Sequence, residues 1–220
     1  MGMAMKNYRW CVVISAALLL AGCGGGPQSD SANDRAAALT KEQTRQTLPD
    51  GEAMPGWRQT HRPTVLKLDE KLYRSQACPA RNNAGCEKSR FYGASTFRED
   101  GSAATVTFLM IAYDSEQAAR QAYDVLWNGH YGKGAGERAR AFEIGPLGDE
   151  RDARFGSYDF EGNPGAITQT RVGTTLLWTQ ATSAGRGGID EDRMRELATV
   201  LAERARQAQN GDEPSAALDS

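Results

Sequence analysis

The stretch RFYGASTFREDGSAATVTFLMIAY, residues 90–113, decides the fold class. Two strand-like runs, 90–98 and 103–113, flank Glu99-Asp100-Gly101-Ser102. Asp-Gly between such runs marks a tight hairpin, because glycine accepts the positive φ that the turn demands. The second run is rich in Thr, Val, Phe and Ile, whose branched or flat side chains suit a pleated surface, and it reads as a central strand. Downstream, Asp114 or Ser115 caps a helix running to about Asn128, with Ala119, Ala122, Tyr123 and Leu126 along one face and Gly129 as its stop. A glycine-rich loop, Gly129 to Gly136, leads to a strand around 140–144. Further strands are expected at about 152–160, 166–172 and 174–182, the last two joined as a hairpin across Val172-Gly173. Asp190 opens a final helix to about residue 208, whose buried stripe is Met194, Leu197, Ala198, Leu201 and Ala205.

Upstream, Thr40 and Gln43 form a capping-box pattern, and 64–73 (TVLKLDEKLY) fits helix and strand about equally. Strands arrive in hairpins and helices are few. The expectation is an α+β fold: a mainly antiparallel sheet with two principal helices, 115–128 and 190–208, packed on one face.

The chain begins with a different kind of signal. Lys6 and Arg9 precede an apolar run, CVVISAALLLA at 11–21, which is about half the ~20 residues needed to span a bilayer but suits a signal peptide. Leu20-Ala21-Gly22-Cys23 then resembles the bacterial lipobox, in which small residues admit the backbone to a peptidase and the thiol takes a diacylglyceryl thioether. The domain expectation follows: a lipoprotein signal peptide at 1–22, a tether at 23–38, one domain at 39–208 and a disordered tail at 209–220. The tether is Gly-, Ser- and Asp-rich, with a random-coil reach of about 20 Å. Two or more acyl chains on Cys23 give stable anchoring, since each buried CH₂ adds about 0.8 kcal/mol. The protein is therefore expected on the extracytoplasmic face of a membrane, held by the Cys23 diacylglycerol, and on the outer leaflet of the plasma membrane in a Gram-positive cell.

Composition narrows the function classes. Of 26 basic residues two precede Cys23, so the remainder carries 24 against 28 acids, a net charge of −4. That balance excludes the basic footprint of a nucleic-acid binder. Beyond Cys11 and Cys23 only Cys78 and Cys86 remain, an even pair for which export implies a disulfide, here on an exposed loop.

Several short motifs, LTKEQTRQTLPDGEAMPGW (39–57), the Cys78 region, LGDE (147–150) and TRVGTTLLWTQ (170–180), together with the closing amphipathic helix, resemble lipoproteins of actinobacteria. Those are similar to the extracellular sensor domain of PknH-type Ser/Thr kinases, with a PsbP-like sandwich as a variant. The resemblance implies an α+β domain with a cleft and no established catalytic residues. This chain departs in having one mature cysteine pair where the sensor domain carries two disulfides.

Chemistry-bearing residues are sparse. His61 and His130 are the only histidines, and both read as loop residues. Gly129-His130-Tyr131-Gly132-Lys133-Gly134 lacks the Ser/Thr and the strand-to-helix setting of a phosphate loop, and Ser95 lacks the second glycine of a nucleophile elbow. The run Asp149-Glu150-Arg151-Asp152 reads as a solvated turn, and Asp190-Glu191-Asp192 as a helix start. No catalytic or metal residues are assigned, and no cofactor beyond the lipid on Cys23. The expected function is a non-enzymatic binding or sensor-like module whose partners are membrane lipid and a ligand or envelope protein. A cell-envelope hydrolase without a recognisable motif is the alternative. Trp57, Tyr92 and Tyr131 are the candidate cleft residues.

Overall fold

The computed structural model describes residues 36–79, 84–157, 162–184 and 189–219. The segments expected to be a signal peptide, a lipobox ending at Cys23 and a tether lie outside them up to residue 35. Seven strands form one sheet: β1 (Trp57–Lys67), β2 (Ser89–Glu99), β3 (Ala104–Tyr113), β4 (Arg140–Ala141), β5 (Glu150–Ser157), β6 (Pro164–Val172) and β7 (Thr175–Ser183). Their order is β1-β2-β3-β7-β6-β5-β4, and each neighbouring pair is antiparallel. Two meanders, β1-β2-β3 and β4-β5-β6-β7, are thus joined where β3 pairs with β7. The expected α+β class and antiparallel sheet are both found. The hairpin at Asp100-Gly101 is present, with Gly101 at φ 75°.

Four helices accompany the sheet: α1 (Lys41–Thr47), α2 (Lys71–Ala77), α3 (Glu116–Gly129) and α4 (Glu191–Asn210). Their starts follow local chemistry. Thr40 and Gln43 form both halves of the capping box of α1, Ser115 accepts from the Ala118 N–H, and Asp190 accepts from the Arg193 N–H at 2.8 Å. The ambiguous 64–73 segment divides, its first part ending β1 and its last part opening α2.

The helices do not share a face of the sheet, which corrects the two-layer expectation. Along β3, Val106, Phe108, Met110 and Ala112 pack with Met194, Leu197 and Leu201 of α4. Ile111 and Tyr113 point the other way and pack with Ala119, Tyr123, Leu126 and Trp127 of α3. Successive strand residues face opposite sides, so these are two cores separated by one sheet. Leu176, Leu177 and Trp178 of β7 are consecutive and all buried because both sides are covered.

The segment after α4 is also not the loose tail expected. Gly211 caps α4 in the left-handed conformation, and the chain then turns back along the helix. The Leu218 N–H donates to the Ala53 carbonyl at 3.0 Å, and its side chain is buried. Arg204 donates to the carbonyls of Gln46, Thr47 and Ala216, tying the end of α1 and the returning tail to the middle of α4.

Candidate functional site

At one end of the sheet the turn between β6 and β7 meets the start of α3, the end of α4 and the first described residues of the chain. Gly173, in this turn, has φ 49°, and a Cβ there would lie 2.1 Å from Gln209 Oε1 and 2.4 Å from the Ala36 Cβ. Only glycine allows these segments to close together. Gln209 accepts from the Thr174 N–H at 3.0 Å and donates to the Val172 carbonyl. The Thr174 hydroxyl donates to the Ala37 carbonyl at 3.1 Å, and the Ala36 N–H donates to Glu116 Oε1 at 2.8 Å.

A cavity of about 350 Å³ lies among these segments, lined by Arg120, Arg171 and Arg206 with Glu116, Asp149 and Asn210. Arg171 is buried. Its guanidinium pairs with Asp149 Oδ2 at 2.9 Å and with Glu150, and donates to the Gly173 carbonyl at 3.1 Å. Asp149 also accepts the Gly173 N–H at 2.8 Å. The LGDE and TRVG motifs, distant in sequence, therefore meet through Arg171. The solvated-turn reading of 149–152 is corrected to this extent, since Asp149 and Glu150 neutralise a buried cation that would otherwise be costly. Arg206 pairs with Glu203 on its own helix. Arg120 is exposed and makes no ion pair or hydrogen bond among the described residues.

The cavity suits binding better than proton transfer. Its guanidinium groups offer donors and no acceptor, Glu116 and Asp149 already accept hydrogen bonds, and its lining contains neither histidine nor cysteine. Among the described residues no group of three or more His, Cys, Asp or Glu side chains is placed to hold a metal ion.

The three candidate cleft residues do not meet in one cleft. Trp57 is buried in the core beneath α4, with the Arg193 guanidinium 5.8 Å from its ring. Tyr92 and Tyr131 belong to the α3 side of the sheet, so the sheet separates them from Trp57. Tyr131 is buried, stacked on Trp178 with ring centroids 4.0 Å apart, and its hydroxyl donates to the Ala77 carbonyl at 3.0 Å. Burial holds the Tyr92, Tyr123 and Tyr131 phenols above their usual range, so none supplies a phenolate at neutral pH. The 129–136 segment is packed rather than open: residues 131–133 form a single 3₁₀ turn over Trp178.

The histidines stand apart. His61 lies in edge strand β1 opposite Thr96, not in a loop, while His130 caps the end of α3 with its ring edge-on to Tyr131. Cys78 and Cys86 form the disulfide, with Cα atoms 5.9 Å apart. Both cysteines are buried against α3 rather than exposed on a loop, because the end of α2 carries Cys78 and the turn at 84–88 carries Cys86 into the α3-side core.

Of the cavity residues, Asp149, Arg171 and Gly173 fall inside the short motifs at 147–150 and 170–180, whereas Glu116, Arg120 and Arg206 lie outside those motifs and were not anticipated. The signal available was the pairing of an acidic dipeptide (149–150) with an arginine inside the otherwise uncharged strand β6.

No family model matches the chain, and no curated protein does. No helix among the described residues is long and apolar enough to cross a membrane. Among solved structures, the extracellular domain of PknH from Mycobacterium tuberculosis matches with a TM-score of 0.51 at 10% identity, covering 80% of this chain and 100% of that one. The likeness is one of fold.

Proposed function

We propose that this chain is a lipid-anchored, extracytoplasmic binding module that takes an anionic ligand group in the Arg120–Arg171–Arg206 cavity and catalyses nothing. The observation that carries the reading is the state of the charges there. Arg171 is fixed by Asp149 and Glu150, whereas Arg120 borders the cavity with its donors unspent. A guanidinium in that position recognises a carboxylate or phosphate by two parallel hydrogen bonds. The fold shared with an extracellular sensor domain supports a binding role, and Leu20-Ala21-Gly22-Cys23 supports anchoring.

Titration with inorganic phosphate and citrate, followed by thermal shift and calorimetry, tests the site. Binding should weaken about tenfold or more in Arg120→Ala, the loss of one charge-assisted contact. Failure of both probes to bind the wild-type chain removes the anion reading. Hydrolase turnover lost in His61→Ala or His130→Ala with folding intact replaces it by the enzyme reading. Mass spectrometry of the mature amino terminus tests the anchor separately: a lipid adduct on Cys23 is expected, and Cys23→Ser should block processing.

A further inference from the structure

The large hydrophobic side chains exposed among the described residues are Leu66, Leu72 and Tyr73, at 41%, 62% and 37%. All three fall within eight consecutive residues, where β1 ends and α2 begins. They are not loosely attached core. Leu68 and Ala77 of the same segment are buried, and the Cys78–Cys86 disulfide ties its far end into the α3-side core. Large apolar side chains held outward from a fixed support mark an interaction surface.

The sheet register shows which end of the molecule carries them. Lys67 pairs with Phe91, Phe91 with Ala112, and Ala112 with Thr175. Three strand spacings, roughly 15 Å, thus separate the end of β1 from the turn where Ala37 is bonded to Thr174. The chain coming from Cys23 therefore joins the domain at the same end as the exposed apolar segment. Only twelve residues lie between Cys23 and Ala36, a span of at most about 45 Å fully extended. Lys67 is paired with Asp69 at 2.6 Å, while Lys71, beside Leu72, has a long stem that can lie along a bilayer with its ammonium at the headgroups.

We propose that this end of the sheet rests on the lipid bilayer, with Leu72 and Tyr73 entering the interface beside the acyl anchor. The proposal rests on Cys23 being the lipid-attachment residue. The acyl chains fix the chain to the membrane at one point, and a second apolar contact adds buried area at the interface and fixes which end of the domain faces it. The arginine cavity lies at this same end, so its ligand would be met close to the headgroups.

The test uses the acylated full chain in phosphatidylcholine–phosphatidylglycerol vesicles. A nitroxide is attached at Leu72→Cys and, separately, at Asp100→Cys in the hairpin turn at the opposite end. Acylation occupies Cys23 and the disulfide occupies Cys78 and Cys86, leaving the introduced thiol to react. The Leu72 label should lose collisions with a water-soluble nickel chelate severalfold on vesicles, while the Asp100 label stays open. In a Leu72→Glu/Tyr73→Glu chain, a label at Lys71→Cys should lose its protection with the circular dichroism spectrum unchanged.

A chain that floats with vesicles yet leaves the Leu72 label as open as the Asp100 label overturns the docking and leaves the anchor standing. Failure to float overturns both, beginning with the anchor. Protection of Leu72 without vesicles overturns the proposal in favour of a second copy of the chain.

Discussion

The indole N–H of Trp178 donates to Gln169 Oε1 at 2.7 Å, directly across the β6–β7 ladder. The Gln169 amide in turn donates to the Tyr123 carbonyl at 3.0 Å, so one fully buried amide joins the sheet to α3. Removing one partner leaves another buried polar group unpaired, at a cost of about 1–3 kcal/mol. Gln169→Leu and Trp178→Phe should each lower the unfolding free energy by at least that range, because Phe also leaves a void. Denaturant melts of both singles and the double should show positive coupling. Strict additivity would mean that the hydrogen bond contributes nothing.

Leu201 of α4 and Leu126 of α3 are buried on opposite faces of the sheet. Each substitution to Ala should cost about 2–5 kcal/mol. Their effects should add to within about 0.5 kcal/mol, since the residues share no partner across the sheet. A melting transition unchanged by either substitution would mean that its helix is not docked.

Asp152 is half-buried in β5. Desolvation raises its pKa above the ordinary carboxylate value, with a hydrogen bond from Tyr123 opposing the rise. The folded state therefore holds this proton more tightly than the unfolded state. Its contribution to stability is present below the unfolded pKa and is lost as pH rises through the folded one. Asp152→Asn should flatten that part of the stability profile, with the difference from wild type growing from acid toward neutral pH. Parallel profiles would count against a raised pKa.

The Cys78–Cys86 link should appear in non-reduced peptide maps of protein taken from its native compartment. A Cys78→Ala/Cys86→Ala chain should lose about 2–3 kcal/mol, the entropy of closing so short a loop together with lost packing against α3. Two freely alkylatable thiols in the wild type would be the contrary result.

Much of the local architecture was legible because it is set by local chemistry. The Asp100-Gly101 turn, Thr40 with Gln43, Ser115 and Asp190 each announce an element boundary, and the structure places one at each. The side on which a helix packs is not local. Its trace was present in the unbroken apolar runs 108–113 and 176–178, which are what a strand covered on both faces requires. The aromatic cleft was illegible for a related reason. Trp57, Tyr92 and Tyr131 share only their aromatic character, but strand parity puts Trp57 and Tyr92 on opposite faces of the sheet, and the turn after α3 places Tyr131 on the side of Tyr92. Arg171 needed contacts with Asp149 and Glu150, 22 and 21 residues away, for which no periodicity exists.

Arg204 holds the carbonyls of Gln46, Thr47 and Ala216 at once. It is buried with only backbone oxygens as hydrogen-bond partners, and it remains a cation although desolvation pushes its pKa down. One guanidinium thus fastens a segment near the start of the domain to its last few residues, across more than 150 positions of sequence. Such a contact is costly in loop entropy, and its Ala216 part cannot form until the segment after α4 is free to fold back. The seat of Arg204 is consequently complete only once the chain has been made as far as residue 218. A truncation at Asn210 should then leave α1 and the Arg204 guanidinium without their shared seat, and such a chain should be the first degraded in the cell.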